Sequence, residues 1–405
     1  MSSSKKGNIH LPFIVFDIGS ASVGAALALV SDKDQAPKII YTTRTPITAK
    51  SSDGYDYFLL AMLSSLKKVL AEVKKDAVQE LSNSNLNITK LENVHCVFSS
   101  SWHTSNIEKL NFKKDEHFTI SEQFISEKLK DAGQQFLDSS EGEPDSTKIV
   151  RSKFIEKNII QILLNGYISN NPKGKKVKNI DITLFTSLIS EEVFAKTRSV
   201  LESVFDIDSI SFHTFTLSLF SVVRDMFSAE KNFLLMDISG ESTNITLVRN
   251  EAMVKDVSFP MGKNFLIEKT AKSLKTVNEE AHSLIRLFLE EKSISTETKK
   301  MNTILNSIKE EYLSSFRKIM VDFSDGLSLP RTIFLTIDTD IGKWFVDAIK
   351  ADEFSTHTLA GQPFTIVELS SRLLSEYCTV SKESRVGCDP FLGIEVIFAN
   401  KIVNK

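Results

Sequence analysis

Short apolar runs of strand length alternate along the chain with longer stretches in which apolar residues return every three or four positions. Two of the short runs share one plan. FIVFDIGSASVGAALALV (13–30) and NFLLMDISGESTNITLVR (232–249) each read as a buried strand, an Asp, a Gly/Ser turn and a second apolar strand. Small turn residues let backbone N–H groups approach an anion, and neighbouring hydroxyls add hydrogen bonds. Two such hairpins facing each other are expected to clamp a phosphate chain and its metal. KIIYTTRTPI (38–47) adds a β-branched third strand to the first hairpin, and VKDVSFPMGKN (254–264) extends the second.

From Tyr55 to about Leu81, residues such as Phe58, Met62, Leu66, Val69 and Val73 make one apolar stripe with lysines and acids opposite, which predicts a helix packed on a sheet. VHCVFSS (94–100) reads as a buried strand. Residues 101–177 carry more charge and include DSSEGEPDSTK (138–148), which has loop composition, so this region reads as an insertion. NIDITLFTSLI (179–189) then predicts a strand, EEVFAKTRSVLESVF (191–205) a helix, and SISFHTFTLSLFSVVRDMF (209–227) a strand running into a helix. Residues 263–325 read as largely helical, RTIFLTID (331–338) as a strand, GKWFVDAIK (342–350) as a helix and GIEVIFANK (393–401) as a closing apolar strand. The alternation favours an α/β layer around a central sheet, with the whole plan appearing twice.

Composition narrows the function classes. The chain has 405 residues, enough for two or more domains, and a formal charge of −3, which gives no sign of bulk binding to nucleic acid. Cys96, Cys378 and Cys388 are too few and too scattered for a disulfide framework, which fits a reducing compartment. The N-terminus is polar and the longest apolar runs are strand-sized, so neither signal peptide nor membrane span is expected and the predicted location is cytoplasmic. The seven histidines show no metal-ligand spacing, and neither a Walker A motif nor a GxSxG elbow occurs. Lys173, Lys175, Lys176 and Lys178 form a basic run that suits a solvated loop, or an approach to anionic lipid or an acidic partner.

FDIGSASVG (16–24), MDISGESTN (236–244), FPMGKNFL (259–266), NNPKGKKVKNIDITLFTSLIS (170–190) and DPFLGIEVIFAN (389–400), taken in this order and spacing, resemble the actin-like superfamily. Within it the chain looks like the FtsA and PilM group, and more closely like FtsA. The resemblance covers nearly the whole chain and implies a duplicated two-lobe α/β fold with an inserted subdomain in the first lobe. On that template residues 11–93 begin the first lobe, 94–177 are the FtsA-type insertion, and 178–229 continue the lobe. Residues 230–262 begin the second lobe, 263–326 are its helical subdomain, 327–386 complete it, and 387–405 close the first.

The resemblance also implies ATP and Mg²⁺ in the cleft, with Asp17, Gly19, Ser20 and Ser22 in the first phosphate segment and Asp237, Gly240, Ser242 and Thr243 in the second. Gly262 follows in the next turn, and Asp17 and Asp237 would serve the metal. Several departures cut against this site. A lysine found in relatives at the place of Ser22 or Gly24 is missing, Ser239 and Glu241 replace two of three consecutive glycines, and Asn244 stands where FtsA has Asp. A Glu241 carboxylate about 4 Å from a phosphate would cost on the order of 4 kcal/mol at an effective dielectric of ~20. At the adenosine end Ile337 and Asp338 take the place of a Gly-Gly turn, and His282 and Ile285 that of a Glu and a Lys, with Arg286 as a substitute cation. Without the resemblance, Asp17 and Asp237 are equally well read as turn caps, and the Ser and Thr residues as ordinary turn and strand positions.

Three functions follow from the resemblance. The first is an FtsA-like adaptor of a bacterial division apparatus, able to self-polymerise as actin-like filaments do, with weak or lost ATP binding. The second is a PilM-like cytoplasmic scaffold of a type IV pilus or secretion platform that holds a membrane-protein tail, and the third an active ATPase. FtsA ends in an amphipathic membrane helix, whereas this sequence stops at IVNK, so attachment to the inner face of the membrane is expected to run through a partner.

Overall fold

The computed structural model describes residues 12–30, 36–49, 53–77, 91–141, 151–290, 295–325, 327–338, 340–351, 358, 361–381 and 389–404. In chain order the elements begin β1 (Pro12–Ile18), β2 (Ser22–Leu29), β3 (Lys38–Pro46), α1 (Tyr55–Glu72) and β4 (Val94–Phe98). Next come β5 (His103–Thr119), α2 (Glu122–Glu141), β6 (Ser152–Leu164), β7 (Tyr167–Ile168), β8 (Lys176–Ser190), α3 (Glu191–Glu202), β9 (Ile210–Thr214) and α4 (Phe215–Met226). They continue with β10 (Phe233–Ile238), β11 (Thr243–Arg249), β12 (Ala252–Phe259), α5 (Lys263–Leu274), α6 (Asn278–Leu289) and α7 (Ser295–Ser324). The last are β13 (Thr332–Ile337), α8 (Gly342–Lys350), β14 (Thr365–Glu368), α9 (Ser371–Leu374), β15 (Thr379–Val380) and α10 (Pro390–Val403).

The chain divides into two compact units, one of residues 1–98, 196–222 and 369–405, the other of residues 99–195 and 223–368. The first unit carries a six-stranded sheet in the order β15-β3-β2-β1-β4-β9. Its β1–β2 and β2–β3 pairs are antiparallel, and its β1–β4 and β4–β9 pairs parallel. The second unit repeats the plan as β12-β11-β10-β13-β14, with the same two antiparallel and two parallel pairings. β1, β2, β10 and β11 are buried along nearly their whole length, as the apolar runs of β1, β2 and β10 require when both sheet faces are covered. A further sheet, β5-β8-β6-β7, stands apart in the second unit and takes the strand at 179–189 as its β8.

Helix α1 buries the predicted stripe, including Phe58, Met62, Leu66 and Val69, against β2 and β3, and each such side chain contributes about 1.5–3 kcal/mol. It ends at Glu72 in a wide turn over Val73–Ala77, and the predicted continuation to Leu81 lies outside the described residues. Two expectations need correction. The segment 393–401 is no strand but the core of α10. Asp389 caps it by accepting a hydrogen bond from the Leu392 amide at 2.9 Å, and Pro390 occupies its first turn. Because Leu392, Ile394, Val396 and Ala399 are buried on every side, the segment shows no helical period. The loop expected over 138–148 also begins later, since α2 continues to Glu141; the rest lies outside the described residues. Among the described residues no helix is long and apolar enough to cross a membrane.

Candidate functional site

The first hairpin turns at Gly19, where a Cβ would lie 2.7 Å from the Ser22 carbonyl oxygen, so only glycine fits. Asp17 is buried at the end of β1, opposite Gly24 in β2, and Ser20 is buried beside it in the turn. Across the next pairing Gly24 faces Arg44 of β3. The missing side chain at Gly24 is filled by that arginine, whose Cζ would stand 2.9 Å from a Cβ there. The Arg44 guanidinium contacts Asp17 Oδ2 at 2.7 Å through Nη2, donates from Nη1 to Ser22 Oγ at 2.8 Å, and donates from Nε to Asp389 Oδ2 at 2.8 Å. One cation thus ties together β1, β2 and the cap of α10. Burial works against its charge, but Asp389 and Asp17 outweigh burial and hold Arg44 above the usual arginine range.

The second hairpin is closed by its own hydroxyls. Ser239 donates from its amide and its Oγ to the Ser242 carbonyl, both at 3.0 Å. Ser242 Oγ lies 3.1 Å from Ser100 Oγ and 2.9 Å from Ser101 Oγ, and Thr243 Oγ1 donates to the Met261 carbonyl at 2.7 Å and meets the Tyr312 hydroxyl at 3.1 Å. Burial raises the Tyr312 phenol, which keeps it a neutral partner. Asp237 is buried in β10 between Asn244 of β11 and Thr336 of β13.

The start of α5 is pressed onto this turn. The Lys263 amide donates to the Ser239 carbonyl at 2.9 Å and the Asn264 amide to the Gly240 carbonyl at 2.8 Å. The N–H groups that a helix start offers to an anion are here used by the turn. Gly262 permits the approach: a Cβ there would lie 2.4 Å from the Ser239 oxygen and 2.5 Å from the Gly240 oxygen. Gly262→Ala is therefore expected to cost about 1–3 kcal/mol, the usual range for overpacking, and the lowered melting temperature is readable by circular dichroism. Glu241 Oε1 accepts a hydrogen bond from Asn264 Nδ2 at 2.7 Å.

The neighbouring end of β13 is cross-linked as well. Lys263 Nζ lies 3.0 Å from Asp338 Oδ2 and 2.7 Å from Asp340 Oδ2, and His282 Nε2 of α6 meets the same Asp340 oxygen at 2.8 Å. Burial opposes the Asp340 carboxylate, yet His282 and Lys263 hold it well below the usual carboxylate range. For Lys263 burial is likewise outweighed, by Asp338 and Asp340, and its pKa is raised. Ile285 is fully buried in the core, and Ile337 packs on Gly342, where a Cβ would lie 3.0 Å from Ile337 Cγ2.

Sequence reasoning singled out the turn residues and missed the residues that engage them: Arg44, Asp389, Ser100, Ser101, Asn264 and Asp340. One signal was available for Arg44, the lone charge inside the strand run 39–47.

No protein-family model and no curated protein matches this sequence. Solved structures do. The PilM chain of a PilM–PilN type IV pilus biogenesis complex superimposes with a TM-score of 0.60 at 12% identity, over 96% of this chain and 98% of that one. The ethanolamine utilization protein EutJ from Carboxydothermus hydrogenoformans gives a TM-score of 0.42 at 10% identity, over 96% and 89%. A Bacteroides thetaiotaomicron protein with an actin-like ATPase fold gives 0.40 at 8%, over 85% and 90%. The doubled sheet order, together with a superposition over nearly the full length of the PilM chain, makes this a protein of actin-like fold.

Proposed function

We propose that the protein is a scaffold that holds protein partners on an actin-like frame, in the manner of a PilM-like component of a pilus or secretion platform, and does not cycle nucleotide. The observation that carries this reading is Arg44. Asp17, the residue expected to serve the metal, and Ser22, a hydroxyl expected to meet phosphate, are both engaged by its guanidinium. ATP and Mg²⁺, which the fold implies, do not fit residues arranged in this way: a divalent ion beside Asp17 would meet a fixed cation. The second hairpin supports the same reading, because the first amides of α5 donate to its carbonyls and Glu241 adds a carboxylate at the turn.

The solved PilM–PilN complex is a precedent for this fold in a pilus assembly. By that analogy the partner is a membrane protein, and the scaffold sits at the inner face of the membrane through it. Co-expression with a single-span membrane protein that carries a short N-terminal cytoplasmic peptide, where a neighbouring gene encodes one, tests the reading. The expected result is co-purification that is lost when that protein's N-terminal cytoplasmic peptide is deleted. Recovery of FtsZ with no dependence on the peptide would instead favour the division adaptor, with the β5-β8-β6-β7 sheet and α2 as its inserted subdomain.

A further inference from the structure

Helix α2 covers one face of the β5-β8-β6-β7 sheet, packing Phe124, Ile125 and Leu129 over Ile162, Ile180 and Ile182. The opposite face meets the tip of the β11–β12 hairpin instead. Between them lies a groove of about 500 Å³, floored by Ile107, Lys109, Gln161, Leu163 and Ile168 and walled by residues 249–254. This is within the 300–1,000 Å³ range of ordinary ligand clefts. Both edges are stiff. The β11–β12 tip turns at Asn250 and Glu251 with φ of 50° and 63°, and the β6–β7 tip at Asn165 and Gly166 with φ of 49° and 88°, two-residue turns of the kind that fix hairpin geometry. Gln161 Nε2 ties the floor to the wall by donating to the Asn250 carbonyl at 2.9 Å.

The groove has a definite chemistry. Its cations are Lys109, Lys231 and Arg249, and its single carboxylate, Glu251, is paired with Lys231 at 3.1 Å. Ile168 and Val254 leave aliphatic surface exposed at the rim, 57% and 40% respectively. A second groove of about 680 Å³ shares Arg249 and Asn250 and adds Arg331, Leu327 and Pro330, with Glu230 as its acid. Positive charge with interleaved aliphatic surface along a preformed cleft matches a chain of the opposite charge. We propose that this groove takes an extended acidic segment with aliphatic side chains from a protein partner. The proposal rests on the scaffold reading and locates its partner contact on the second unit.

A display library of random peptides, selected against the full chain, tests this. Selected peptides are expected to combine Asp or Glu with Leu, Ile or Val and to bind more weakly as salt rises. Lys109→Glu and Ile168→Asp, both at exposed positions, are each expected to weaken the selected peptide about tenfold without changing the melting temperature. A selection that yields no binder, or binders with unchanged affinity for both variants, would overturn the groove. Tight nucleotide binding would overturn the scaffold reading and leave the peptide result standing, so the two failures are separable.

Discussion

Arg44→Met, in the strand beside the first hairpin, is expected to destabilise the protein by about 2–4 kcal/mol. The guanidinium faces Asp17, whose side chain is only 5% exposed, and Asp389, so its removal takes the facing cation from two carboxylates at once. Breaking a fully buried pair costs about 3–5 kcal/mol, and the 24% exposure of Arg44 lets water recover part of that. Urea unfolding measures the loss. The ion-pair account makes a second demand: Arg44→Met combined with Asp17→Asn should regain about half of the deficit, because the most buried charge is then gone. A double variant as unstable as the sum of the singles would mean that Arg44 acts through packing alone.

Between pH 7 and pH 5 the protein is expected to lose about 4 kcal/mol of stability, from two histidines. Burial, reinforced by His213, pushes the His95 imidazole down to about 3, and burial pushes His103 down to about 4. His95 Nδ1 lies 3.2 Å from His213 Nε2, and a charge placed on the buried His95 ring would be cut off from solvent. The unfolded chain takes up these protons at about pH 6.5, the folded chain only well below pH 5. Unfolding therefore binds protons throughout this window, and stability falls with pH by about 2 kcal/mol per histidine at pH 5. Asp340 acts at lower pH: its depressed carboxyl contributes stability that is present above about pH 4, the unfolded carboxylate value, and lost as pH falls toward its folded value. Urea unfolding at the two pH values, repeated on His95→Gln and His103→Gln, separates the contributions. Each variant should flatten the slope by about half.

The two hairpins are legible in the sequence because strand, Asp and small-residue turn are consecutive, and because the first strand of each is a nearly unbroken apolar run. Helix α1 is legible through its stripe. What escapes is whatever depends on distance along the chain. Arg44 meets Asp389 across 345 residues, Ser100 meets Ser242 across 142, and Lys263 meets Asp338 across 75. No local pattern announces such partners: Arg44 stands out as the lone charge of its strand run, yet nothing near it in the sequence points to Asp389. Helix α10 escapes for the opposite reason: burial on all sides erases the period that would have marked it. Glu241 shows the limit of reasoning from charge alone. Its side chain is hydrogen-bonded to Asn264, a partner that fold geometry supplies and turn composition does not.

In the proposed scaffold the first hairpin holds its own arginine at the place expected for metal and phosphate. Isothermal titration of the full chain with Mg-ATP tests it most directly. No saturable heat is expected at micromolar nucleotide; a micromolar, magnesium-dependent Kd that is lost in Asp17→Ala would overturn the scaffold reading.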